Sequence, residues 1–190
     1  MESASAGNYK EVLVEALSNF KCYKDTDVQT FLNSKAIDFE IKGLSTTYLL
    51  LSKEKFKSGE IFIEGYFSLT HKAVIFEESV SANRRKTISG SKTKETESFA
   101  LIAQRAKRIE HTNYGEIMSS ELNVNDLLND AMGIIEKSSK YIVCRNVIIE
   151  CKPVEKIKNL YEKYGFTDLQ KGKNGELHTL YLKINSKVKS

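Results

Sequence analysis

The 190-residue chain contains no run approaching the ~20 consecutive apolar residues that a membrane-spanning helix needs, so no transmembrane segment and no membrane partner are expected. Its first residues, MESASAGNYKE, lack the basic and apolar regions of a secretory signal, which makes the cytoplasm the expected location. Cysteine is scarce: Cys22, Cys144 and Cys151 form an odd set without CxxC spacing, as expected of reduced, buried thiols. With the scattered His71, His111 and His178 they make no metal-ligand cluster, and no metal is expected. Cys151 follows a predicted strand and could lie near a cleft, but no base stands beside it to activate a thiol. Internal repeats and linkers are absent too, so one domain over residues 1–190 is expected.

What is present is a soluble-protein composition, 41% apolar and 28% charged, with a net charge of +4. The charge is uneven. Eight basic residues (Arg84, Arg85, Lys86, Lys92, Lys94, Arg105, Lys107, Arg108) face two acids (Glu95, Glu97) between positions 84 and 108. Such a stretch attracts phosphates of a cofactor or a nucleic acid, and a solvated polar loop explains it equally well.

Apolar spacing predicts helices over 8–20 and 28–39, the second started by Asp25 or Thr26. Strands are predicted over 46–52 and 60–70, joined by the polar connection KEKFKSG, with Gly65 in mid-strand marking a bulge or a close ligand approach. Residues 77–97 read as a long polar surface loop with at most one helical turn. Strand character resumes at 98–104, and an unusual polar stretch, RAKRIEHTNYGEIMSSELN, precedes a helix beginning near Asn123. Asn123 and Asp126 resemble a capping arrangement for that helix. A buried strand over 146–151 leads to a helix opened by the single proline, Pro153, and ended by Gly165, with Phe166 packing back. A last strand over 178–184 follows a turn holding Gly172 and Gly175, and 185–190 reads as a frayed tail. Strand–helix alternation in the second half argues for a mixed α/β fold, one central sheet with helices on both faces.

The segment NLYEKYGF, placed after an apolar strand and a helix start, resembles the GNAT family of N-acetyltransferases. DVQTFLNSKAIDFE, STTYLLL and IEGYFSLT are similar to the N-terminal half of bacterial and phage GNAT proteins, acetyltransferase toxins among them, so the resemblance covers roughly residues 18–184. It implies acetyl-CoA as co-substrate and a primary amine as acceptor: a small amine, a protein, or the amino group of charged tRNA. A homodimer is implied by the resemblance alone.

Carried onto this chain, the family's tyrosine general acid falls on Tyr161. Leu127, Leu128 and Ala131 match its Leu-Leu-x-x-Ala helix, and the cofactor strand and turn fall on Arg105, Ala106, Lys107, Leu122, Asn123, Val124, Asn125 and Asp126. Independently of the family, a helix N-terminus with free amides favours a pyrophosphate, and a phenol near sulfur can protonate a departing thiolate. Lys107 and Arg108 are candidates for the 3′-phosphate. Glu150, near the C-terminal end of a buried strand, is the candidate base for the amine, and Glu64 beside Gly65 is a second one. The chain departs from the family where it matters most. The usual (Gln/Arg)-x-x-Gly-x-(Gly/Ala) turn is replaced by Ser119-Ser120-Glu121-Leu122-Asn123-Val124, without either glycine. Either Ser, Asn and Val still present amides to CoA, or cofactor binding is weakened and the chain is a non-enzymatic GNAT-like binding protein.

Overall fold

The computed structural model describes residues 3–112, 114–142, 144–171 and 177–184. The expected glycine turn at 172–176 and the tail at 185–190 lie outside the described residues. The chain divides into two compact units, Met1–Ser68 with Gln104–Asp130, and Leu69–Ala103 with Ala131–Ser190.

The first unit contains α1 (Ser3–Ser18), α2 (Thr26–Ser34), α3 (Ala36–Ile41), β1 (Thr46–Leu51) and α4 (Lys53–Lys57). It also holds the start of β2 (Ile63–Ile75), the end of β3 (Thr96–Lys107), β4 (Ile109–His111), β5 (Ile117–Ser119) and the start of α6 (Val124–Ser138). Its core gathers Leu17, Phe20, Phe31, Leu32, Ile63 and Tyr66. The helical spacing that predicted two amphipathic helices supplies the first four, and the strand alternation of β2 supplies Ile63. The Phe20 ring meets Tyr66 edge-on at 5.5 Å, and the Tyr66 hydroxyl donates to the Val28 carbonyl at 2.6 Å, which satisfies a phenol that is otherwise fully buried.

The second unit holds the remainder of β2, β3 and α6, with α5 (Ala82–Ser89), β6 (Asn146–Cys151), α7 (Glu155–Tyr164), β7 (Thr167–Lys171) and β8 (His178–Lys183). Its core includes Val74, Phe76, Ile88, Phe99, Leu101 and Ile148. Asn146 is fully buried and donates to the Ile88 carbonyl at 3.0 Å, which ties α5 to the head of β6. The hydrogen-bonded strand order is β1-β2-β3-β6-β8-β7. β6–β8 and β7–β8 are antiparallel, and β3–β6 is parallel over two residue pairs, Ala100–Val147 and Leu101–Ile148. The fold is mixed α/β, as the strand–helix alternation predicts.

Several expectations are corrected. The helix expected over 28–39 is two helices, broken at Lys35, where Ser34 Oγ bonds back to the Thr30 carbonyl at 2.7 Å, a contact that bends helices. KEKFKSG carries α4 rather than a plain connection. The stretch 77–97 contains the eight-residue α5, capped by Ser81 Oγ on the Arg84 amide and closed by Gly90 at φ 83°. Its end signals were present in the sequence, but Ile88 is its one buried residue, so no apolar stripe announced it. The polar stretch after β3 folds into the β4–β5 hairpin. β2 and β3 run longer than expected, and β7 was not anticipated, since Leu169 is its single buried side chain. Helix α7 begins at Glu155, two residues past Pro153. Its end at Gly165, φ 108°, with Phe166 buried behind it, is as the spacing predicts.

Candidate functional site

At the end of β3 two cations reach the glycine-free turn. Lys107 Nζ donates to the carbonyls of Ser120 at 3.0 Å and Leu122 at 3.3 Å, and Arg105 Nη1 donates to the Val124 carbonyl at 3.2 Å. The turn is fixed further by the Ser120 amide on the Arg108 carbonyl (2.9 Å) and the Leu122 amide on Ser120 Oγ (3.1 Å). At the start of α6, Asn123 Oδ1 accepts from the Asn125 amide at 3.0 Å, and the Asp126 amide donates to the Asn123 carbonyl at 3.0 Å. The cap is therefore Asn123 alone, and the Asp126 side chain takes no part in it. Among the described residues the amides of Glu121, Asn123 and Val124 have no acceptor. Leu127, Leu128 and Ala131 are buried along α6.

Gly65 explains how the turn approaches β2. A Cβ on Gly65 would lie 3.0 Å from the Ala106 carbonyl, 3.0 Å from Leu122 Cδ1 and 3.4 Å from Leu127 Cδ2. The close approach that a mid-strand glycine predicts is thus to the protein's own turn. Ala106 is buried there, and Leu122 is the plug.

Beside the turn opens a cleft of about 720 Å³, lined by Leu51, Lys55, Phe62, Glu64, Arg108 and Leu122 among others. Arg108 forms part of its wall with a side chain only 7% exposed. Its Nε donates to the Ile63 carbonyl at 2.8 Å, and Nη1 donates to Asn19 at 3.0 Å and to the Glu110 carboxylate at 3.3 Å. The guanidinium lies 4.2 Å from the centre of the Phe62 ring. A buried cation held by two carbonyls, a carboxylate and a ring face organises the wall; it is not a mobile phosphate anchor. Sequence reasoning missed this role because the partners lie 45 and 89 residues away. Glu64 also lines the cleft, and its carboxylate makes no hydrogen bond or ion pair among the described residues.

The remaining candidates belong to the second unit. Tyr161 sits on α7, 9% exposed, its ring edge-on to Phe166 at 5.9 Å. Glu150, on β6, has both oxygens on Lys72 Nζ at 2.7 Å, and its side chain is 23% exposed. Burial pushes the Cys151 thiol up, helped by the Asp168 carboxylate, and burial likewise raises the Cys22 thiol. Thiolate is the reactive form, so neither cysteine is built as a nucleophile.

The basic stretch dissolves on folding. Arg85 serves the carbonyls of Val80 (3.0 Å) and Glu77 (3.2 Å), Lys94 pairs with Glu97 at 2.7 Å, and Arg105, Lys107 and Arg108 are engaged as described. Of the eight cations, Arg84, Lys86 and Lys92 have no ion pair or side-chain hydrogen bond among the described residues, with Arg84 over the Tyr181 ring at 5.8 Å.

No protein-family model and no curated protein matches the chain. Solved structures do. AtaT complexed with acetyl-methionyl-tRNAfMet superposes with a TM-score of 0.63 at 18% identity, covering 88% of this chain and 86% of that one. A tyrosine-to-phenylalanine mutant of KacT gives 0.62 at 19% identity, with the same 88% and 86% coverage. AtaT mutated from tyrosine to phenylalanine and bound to the C-terminus of the antitoxin AtaR and acetyl-CoA gives 0.59 at 16%, covering 88% and 84%. The chain has the GNAT fold. The likeness to these toxins is one of architecture.

Proposed function

We propose that this protein transfers the acetyl group of acetyl-CoA to a primary amine. The observation that carries the reading is the turn before α6, where the amides of Glu121, Asn123 and Val124 have no acceptor among the described residues, at a helix N-terminus although no glycine is present. Such amides, with the helix dipole behind them, suit a pyrophosphate. The fit is therefore met by backbone donors, which any residue type supplies once the turn is held. Structures of similar fold contain acetyl-CoA, which supports the same reading.

When bound, acetyl-CoA supplies an activated thioester for attack by a neutral amine. In this chain the turn 120–124 holds the diphosphate. Tyr161 is assigned, on the family resemblance, to protonate the departing thiolate. For the amine's proton, Glu64 is preferred to Glu150: the Glu64 carboxylate is uncommitted and lines the cleft, whereas both Glu150 oxygens are occupied by Lys72. A cleft carrying Glu54, Glu64, Glu110 and Glu121 against Lys53, Lys55 and Arg108 suits a cationic acceptor group.

The acceptor we favour is the α-amino group of an aminoacyl-tRNA, by analogy with the AtaT complex. The test is incubation with acetyl-CoA and, separately, charged tRNA, a peptide and a small diamine, following free thiol and N-acetylated product. Product with charged tRNA alone supports the favoured acceptor, and product with another amine moves the assignment to that class. Absence of a melting shift at millimolar CoA would remove the cofactor, since a ligand bound by the folded state alone must raise the midpoint.

A further inference from the structure

The turn between β5 and α6 lacks the glycines that let a backbone close around phosphate, yet two cations of β3 grip its carbonyls in alternation: Ser120 and Leu122 by Lys107, Val124 by Arg105. In a trans peptide the carbonyl of one residue and the N–H of the next point in opposite directions, and no described peptide bond is cis. Drawing the carbonyls of Ser120 and Leu122 toward Lys107 therefore turns the amides of Glu121 and Asn123 away from it. Those are two of the three amides left without acceptors in the turn. The Ser120 amide is taken by the Arg108 carbonyl, the Leu122 amide by Ser120 Oγ and the Asn125 amide by Asn123 Oδ1; the grip of Lys107 accounts for the free amides of Glu121 and Asn123, and the Val124 amide is free as the first of α6.

We propose that Lys107, seconded by Arg105, is a positioning residue that replaces the family's glycines: its ammonium holds the turn in the amide-outward conformation and does not itself bind the 3′-phosphate. Glycine permits such a conformation by lacking a Cβ; here charge-assisted hydrogen bonds impose it on Ser, Glu, Leu and Asn. The Leu122 side chain completes the device, seated against the bare Cα of Gly65. The inference rests on the acetyl-CoA reading for its functional consequence, but the clamp itself is a property of the free protein.

The experiment compares wild type with Lys107→Met, which keeps the stem and removes the donors, and Lys107→Arg, which keeps donors. Calorimetric affinities are measured for CoA and for dephospho-CoA, which lacks the 3′-phosphate. The clamp predicts that Lys107→Met weakens both by the same factor, roughly tenfold or more as for lost charged hydrogen bonds. The preference for CoA over dephospho-CoA stays at its wild-type value, acetyl-CoA KM rises with kcat little changed, and Lys107→Arg recovers most of the affinity. A loss confined to CoA, erasing that preference, would place Lys107 on the 3′-phosphate and overturn the proposal. Amide hydrogen exchange of Ser120, Leu122 and Asn125, the hydrogen-bonded amides whose protection depends on the held turn, decides the clamp without cofactor in the ligand-free variants. Faster exchange in Lys107→Met supports it, and unchanged exchange refutes it. Should wild type bind neither cofactor while exchange still accelerates, the clamp stands and the acetyl-CoA assignment falls.

Discussion

Adding one methyl group at position 65 tests how the turn is seated. Gly65 does not have positive φ, so alanine meets no backbone penalty there, and the whole effect comes from space. The new Cβ would meet the Ala106 carbonyl and Leu122 Cδ1, each at 3.0 Å, and Leu127 Cδ2 at 3.4 Å. The carbonyl is backbone and cannot rotate aside, so the accommodation falls on Leu122 and on the separation of β2 and β3. Overpacking of this kind costs about 1–3 kcal/mol. Replacing glycine at a compatible φ recovers about 0.4–1 kcal/mol through the unfolded chain. The net expectation is a loss of about 1–2 kcal/mol, or roughly 2–8 °C in Tm for a chain of this size. Urea unfolding of Gly65→Ala, Leu122→Ala and the double variant measures it. Because Leu122 is one of the two groups that must give way, the double variant is expected to fall short of additivity by about 0.5–1 kcal/mol. A neutral or stabilising Gly65→Ala, or strict additivity, would show that the turn is not seated on β2 in this way.

Three further outcomes are expected. Tyr161→Phe should lower kcat about a hundredfold while leaving acetyl-CoA KM within about twofold, and an unchanged kcat would remove the general-acid assignment. Glu64→Gln should reduce kcat/KM at least tenfold and more than Glu150→Gln does, a contrast checked at saturating acetyl-CoA; the reverse order would return the role to Glu150. Stability should fall at alkaline pH. Burial raises the thiols of Cys22 and Cys151 above their ordinary 9.0 and the Tyr66 phenol above its ordinary 10.0, so the unfolded chain ionises first. Their contribution is complete below those values and declines above them by about 1.4 kcal/mol per pH unit per group, so urea midpoints that stay level from pH 8 to 10.5 would contradict the burial.

Local rules carried much of the architecture. β6 matches the apolar run NVIIEC residue for residue, and α7 ends at Gly165 because a helix closing in the left-handed region selects glycine, a requirement visible in one letter. The same rules left α5 unread, since a helix that buries a single residue has caps but no stripe. The site divides the same way. The missing glycines at 119–124 could be read directly, and so could the doubt they cast on phosphate binding. The amide-outward turn could not be read, because Lys107 acts across 13 and 15 residues of sequence. Likewise the eight-cation stretch reads as a phosphate-attracting face, although five of its members are engaged by carbonyls and two carboxylates.

The sequence alone determined α1, β1, α6, β6, α7 and β8, since periodicity and caps act within a few residues. It also placed the tyrosine and the glycine-free turn in GNAT order. Tertiary structure alone decided what the charges do. A lysine or arginine is the same letter whether it meets water, a phosphate or a backbone carbonyl, and burial and distance select among them.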